Sequence, residues 1–193
     1  MSTTTYIPSA QPPPALVDHS YTFAPETEQY NKPLEQIIHL NAPRNTIGVG
    51  AFVFKPSPSG EPLLLLIRRS ASESAYPEMY EVPGGGAEAP PIDATLLDSV
   101  ARELFEETGL VATRIVKLID TADFQGRRGD LWRKFNFEIE VQDPENVVLQ
   151  PLEHDEFKWV GKEEFENLIA SGEMKTMPSQ QHTIRRAFEV YGQ

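Results

Sequence analysis

Within Arg102-Glu103-Leu104-Phe105-Glu106-Glu107-Thr108-Gly109-Leu110, Glu103 precedes Glu106 and Glu107 by three and four residues, spacings that set side chains next to one another on a helix. Like charges so placed repel, and in the last turns of a helix the macrodipole also disfavours them, each effect being worth about 0.3–1 kcal/mol. All of these effects act in the same direction, which points to function. Clustered carboxylate oxygens suit a hard divalent cation, Mg2+ or Mn2+. Arg102, four residues before Glu106, is spaced to pair with it and orient it. Upstream, Pro83-Gly84-Gly85-Gly86 brings glycines whose backbone can approach a ligand closely. Carboxylates on a helix behind a glycine turn are an arrangement for phosphate chemistry.

The elements that must position these groups can be read from periodicity. Leu96, Leu97, Val100 and Leu104 recur at helical spacing and define one core-facing side. Thr95 with Asp98 three residues on reads as a capping box, and Gly109 as a left-handed C-cap. Ile47 to Phe54 reads as a strand with Ile47, Val49, Ala51 and Val53 on one side and Gly48 and Gly50 opposite. Leu63 to Ile67 is a continuous apolar strand, and the turn at residues 56–60 makes the two a hairpin. Further strands are expected at Thr113–Asp120, at Leu131–Val141 and at Phe157–Val160. In the second, Phe135, Phe137, Ile139 and Val141 point inward, while Lys134, Asn136, Glu138 and Glu140 point to solvent. A helix through Phe165, Leu168 and Ile169 precedes a last one starting near Ser179 and burying Ile184, Ala187, Phe188 and Tyr191. Mixed strands and helices predict an α+β domain.

Residues 102–110 resemble the second half of the signature of the Nudix hydrolases, which runs Gly, five residues, Glu, seven residues, Arg-Glu-apolar-x-Glu-Glu-x-Gly-apolar. They match it without a departure, and Glu81-Val82-Pro83-Gly84-Gly85 resembles the approach to its first half. That first half departs here. Counted back from Arg102, the expected glutamate falls on Ala94, and Gly85 lies three residues too far upstream. Glu88 or Asp93 could compensate around an insertion that contains Pro90-Pro91.

The resemblance implies an α/β/α sandwich with a mixed central sheet and a Mg2+-dependent pyrophosphohydrolase, with Mn2+ as a substitute ion. It implies metal ligation by Glu103, Glu106, Glu107 and the Gly84 carbonyl, and catalytic roles for Glu107, Glu103 and Arg102. In similar sequences a later loop can add a glutamate. Glu153, six residues before Trp159, is the choice here, Glu156 is the runner-up, and His154 is read as structural. Phosphate contacts are expected from Arg68 at the end of its strand, from Gly85 and Gly86, and from Arg127 in the loop at residues 125–130. The implied substrate is a small nucleotide-type diphosphate such as ADP-ribose. A diphosphoinositol or isoprenoid diphosphate is an alternative, and so is a catalytically weak sensor module, the latter favoured by the missing glutamate at Ala94.

Bulk properties bound these readings. The 193 residues, 39% apolar and 24% charged, suit one folded domain over 45–193, an extension over 19–44 packing on it, and a flexible Pro-rich arm over 1–18. Leu34, Ile37 and Ile38 give the extension a reason to dock, onto this subunit or a second copy in a homodimer. A net charge of -12 disfavours long nucleic acid as a partner and leaves a small phosphorylated substrate open. No apolar run is long enough to cross a bilayer, the start of the chain has no signal-peptide character, and cysteine is absent. A cytoplasmic protein is expected, with the nucleus also open to it.

Overall fold

The computed structural model describes residues 20–126 and 128–193; the expected arm over 1–18 and Arg127 lie outside them. The architecture is α+β, a mixed sheet between two helical layers. In chain order the elements are β1 (Thr22–Phe23), α1 (Leu34–Leu40), β2 (Thr46–Pro56), β3 (Pro62–Arg69), β4 (Tyr80–Glu81), α2 (Leu96–Thr108), β5 (Ala112–Gln125), β6 (Leu131–Val141), β7 (His154–Val160), α3 (Lys162–Ser171) and α4 (Pro178–Val190). The sheet order is β1-β5-β6-β2-β3-β4, with β7 also on β3. The β1–β5 and β2–β6 pairs are parallel and the others antiparallel.

Alternation along the strands divides the core in two. Val49, Ala51 and Val53 of β2, Leu65 and Ile67 of β3, and Phe135, Phe137 and Ile139 of β6 pack with Leu96, Leu97, Val100 and Leu104 of α2. On the other face Phe52, Leu64 and Leu66 meet Phe165 of α3 and Ile184 and Ala187 of α4. Because α4 covers much of that face, the expected outward side of β6 is solvent-exposed only at Glu140: Lys134 is half-buried, and Asn136 and Glu138 are buried. Likewise β6 has a parallel neighbour on one side and an antiparallel one on the other, instead of being a half-exposed antiparallel strand. The loop expected over residues 125–130 is shorter, since β5 pairs with β6 as far as Gln125↔Leu131. Tyr191 lies beyond α4 and is 37% exposed.

The feature that positions the site is a split in the sheet. β2 and β3 pair only near their turn, from Pro56↔Pro62 to Phe54↔Leu64. Where they diverge, residues 80–87 fill the gap. Tyr80 and Glu81 pair with Arg68 and Ile67 of β3, and the glycine loop then runs along β2, with Ala51 N–H donating to Pro83 O, Val49 N–H to Gly85 O and Ala87 N–H to Ile47 O. The loop is thereby part of the sheet and rigid for the same reason the sheet is.

Residues 20–44 wrap the α2 side. Tyr21 donates to Asp98 Oδ1 at 2.6 Å, the Tyr30 ring stands edge-on to Phe135 and Phe137, and Ile37 is 2% exposed within the α2 core. Truncating a buried Ile to Ala costs about 2–4 kcal/mol. Ile37→Ala is expected to lower the urea midpoint by a corresponding amount; an unchanged midpoint would show that this segment contributes nothing to the core.

Candidate active site

Helix α2 begins on the expected capping box, Thr95 and Asp98 bonding each other's backbone, and ends on Gly109 at φ 67°. Its apolar face is fully buried, which turns Glu103 and Glu107 toward the glycine loop. Gly84 N–H donates to Glu107 Oε2 at 2.7 Å. A Cβ on Gly84, whose φ is 148°, would run into Val49 O, and one on Gly85 would stand 2.5 Å from Glu103 Oε2. The β2 backbone excludes a side chain at Gly84, and one at Gly85 would have to displace the Glu103 carboxylate, so the carboxylates meet bare backbone.

Arg102 ties the acidic groups together. Its Nε and Nη2 donate to the two oxygens of Asp93 at 2.8 and 3.0 Å, its Nη1 to Glu103 and Glu106 at 2.9 and 2.8 Å, and its Nη2 also to Gly86 O. Asp93 is 1% exposed and further bonded by Ser99 Oγ and Glu88 N–H. Burial alone would raise its pKa, but the bonds from Arg102 and Ser99 outweigh that and hold the carboxyl below the usual range. Of the two candidates to replace the glutamate missing at Ala94, Asp93 is the one whose carboxylate pairs with Arg102, while Glu88 contributes its backbone N–H.

The three glutamates are not the exposed cluster their spacing suggests. The side chains of Glu103 and Glu107 are 13% and 9% exposed, and only Glu106, at 43%, faces water. Burial pushes the Glu103 carboxyl up to about 7 against the pull of Arg102. Burial, reinforced by the negative charge of Glu81, raises Glu107 well above its ordinary value. Beside them a second group gathers. Ligand atoms of Glu107, Glu153 and His154 lie within 4.8 Å of one another. His154, the first residue of β7, is buried with Nε2 3.3 Å from Glu81 Oε1 and 4.0 Å from Glu107 Oε1, and its Nδ1 has no hydrogen-bond partner among the described residues. Burial would raise Glu81, but His154, Lys134 and Arg69 outweigh it and keep that carboxyl low.

The remaining expected residues divide. Glu153 joins Glu107, whereas Glu106 is held by Arg102 on the exposed flank. Arg68 is occupied by Asp155 and Glu156, at 2.7 and 2.8 Å. The neighbouring Arg69 turns instead to Glu81 at 2.7 Å and Glu73 at 2.8 Å. Gly85 and Gly86 have carbonyls already accepting from Val49 N–H and Arg102. Glu81, Arg69 and Lys134 carried no role on sequence grounds. Lys134 pairs with Gly48 in the sheet, and its Cε passes so near Gly50 that a Cβ there would stand 2.8 Å from it, so the glycine makes room for it.

The NUDIX domain family model matches residues 44–180. The chain belongs to the Nudix family. It is accordingly a hydrolase of phosphoric anhydride bonds. No curated protein matches the sequence as a relative. Among solved structures, a MutT protein from Methanosarcina mazei Go1 is 26% identical, with 77% of this chain and 96% of that chain covered and a TM-score of 0.56. The NUDIX domain of Shewanella oneidensis NrtR, complexed with ADP ribose, is 19% identical over 81% of this chain and 97% of that one, with a TM-score of 0.59. A C. elegans Ap4A hydrolase is 18% identical over 73% and 93%, with a TM-score of 0.53.

Two outcomes follow from this Nudix site. Asp93→Asn strips the buried partner from Arg102, and removing one side of a buried pair costs several kcal/mol. With Glu103 and Glu106 still bonded to Arg102, a loss of about 3 kcal/mol in chemical denaturation is expected; a neutral result would contradict the substitution of Asp93 for the signature glutamate. The raised Glu103 pKa works against stability at higher pH. Between about 4.5 and about 7 the unfolded chain has released this proton while the folded chain keeps it, so stability falls as pH rises, by up to about 3 kcal/mol. In metal-free buffer the wild type should lose that much relative to Glu103→Gln between pH of about 4.5 and about 8, and parallel pH profiles would exclude it.

Proposed function

We propose that this Nudix chain is a divalent-cation-dependent pyrophosphohydrolase, with Mg2+ as its ion and Mn2+ able to replace it, acting on a small nucleotide-type diphosphate such as ADP-ribose. The observation that carries it is the convergence of Glu107, Glu153 and His154 within 4.8 Å beside the buried Glu103. Two carboxyls pushed above their ordinary range by burial are a donor set that a cation would relieve, so the residues present fit a hard divalent ion. Glu103, Glu107 and Glu153 would hold it, with Glu106 and the Gly84 carbonyl as further oxygen donors and His154 at the edge of the set. When bound, such an ion supplies charge neutralisation and Lewis acidity to adjacent phosphates.

The chain's own residues do the rest. Arg102 fixes Glu103 and Glu106, so the acidic groups are held in place before substrate arrives. Gly84 N–H holds one oxygen of Glu107, leaving the other directed toward His154. The proton of the attacking water goes to a carboxylate of this cluster, Glu107 or Glu153. The Asp93–Arg102 pair supports an active hydrolase over the inactive-sensor alternative. The NrtR neighbour's complex with ADP ribose supports placing ADP-ribose first among substrates, and the absence of cysteine supports a cytoplasmic setting.

The test is a panel of ADP-ribose, dinucleoside polyphosphates, diphosphoinositol phosphates and isoprenoid diphosphates, with Mg2+ or with EDTA, read by phosphate release and mass spectrometry. Turnover of the nucleotide compounds that EDTA abolishes is expected. Glu107→Gln should cut turnover about 100-fold or more, with Glu153→Gln lowering kcat more than it raises KM. Normal turnover in Glu107→Gln would overturn the site.

A further inference from the structure

The carboxylate cluster leaves unused a cavity of about 220 Å3 on the α4 face, between the far ends of β5 and β6 and the first turn of α4. One of its walls carries Glu81, so it opens onto the cluster. Lys134 lines it from β6, reaching across the space that Gly50 leaves, and its charge acts on both Glu81 and Glu107. Lys134 therefore stands at the junction between cavity and cluster, where an anionic group crossing from one to the other must pass. Gln180 of α4 also lines the cavity, and its Oε1 is buried without a hydrogen-bond partner among the described residues. A buried amide oxygen in that state has a free lone pair with which to accept from a ligand. The apolar wall is Phe124, 43% exposed and backed by Trp132, with the two rings stacked at 5.6 Å and 11°. An open aromatic face beside an amide that both donates and accepts matches a planar nitrogen heterocycle. The volume is below the roughly 300 Å3 at which pockets enclose a drug-sized ligand, so a single ring system enters and the phosphates remain outside.

We propose that this cavity determines substrate choice, with Gln180 and Phe124 holding the heterocycle of a nucleotide and Lys134 contacting the phosphate nearest to it. The proposal rests on the hydrolase reading for the fate of the diphosphate but not for the binding of the base. Its test therefore uses ligands with no anhydride bond. AMP, GMP, CMP and UMP are each titrated calorimetrically in Mg2+ buffer against ribose 5-phosphate, which lacks only the base. At least one nucleotide should bind about tenfold or more tightly than ribose 5-phosphate. Gln180→Met, of similar volume and with an unchanged melting temperature, should remove most of that ratio, and Phe124→Leu should reduce it. Lys134→Met should weaken nucleotide and sugar phosphate alike and leave the ratio intact. Equal binding of all five ligands by the wild type, or an unchanged ratio in both Gln180→Met and Phe124→Leu, overturns the assignment. Diphosphate cleavage with no base preference in binding would refute the cavity and spare the activity; base preference without cleavage would do the reverse.

Discussion

Everything at this site depends on a close approach of backbone to carboxylate that only glycine permits. Gly84 N–H bonds Glu107 while its Cα lies against Val49 O of β2, and Gly85 lies against Glu103. Sheet, loop and helix are thus in contact at one place, with no side chain between them. The loop can be held there because it replaces β3 as the neighbour of β2 once the two strands diverge. A side chain at Gly84 would run into the β2 backbone and push the loop off the sheet, and one at Gly85 would displace the Glu103 carboxylate.

The second constraint is electrostatic. Buried carboxylates resist ionisation, and Glu103 and Glu107 show it in their raised pKa values. What makes the arrangement tolerable without a cation is Arg102, whose five donor groups are shared among Asp93, Glu103, Glu106 and the Gly86 carbonyl. A lysine could not reach this many partners in fixed geometry. Glu81 is kept ionised by His154, Lys134 and Arg69 together, so the site separates carboxylates that stay charged from carboxylates that need a partner.

The parts legible in the sequence were those specified locally. The capping box, the Gly109 cap and the apolar stripe of α2 lie within fifteen residues of one another, and helix and signature could be read from them. The pairing of β2 with β3 followed from a turn between two apolar runs. What long-range packing decides was not legible. β4 has two residues and exists only because β3 and β2 need filling between them. Asn136 and Glu138 look solvent-facing by alternation, yet α4, some forty residues on, buries them. Asp93 could be weighed against Glu88 but not chosen, because the choice is made by where Arg102 and Ser99 arrive in space.

The central claim is that these buried carboxylates form a site for one class of ligand, a hard divalent cation. Titration of the metal-free protein with Mn2+, followed by electron paramagnetic resonance of the free ion, measures this without any substrate. The account predicts saturable binding by the wild type, competed by Mg2+ and abolished in the Glu103→Gln, Glu107→Gln double variant, which should fold at least as stably as the wild type above neutral pH. Equal Mn2+ binding by a folded double variant would contradict it.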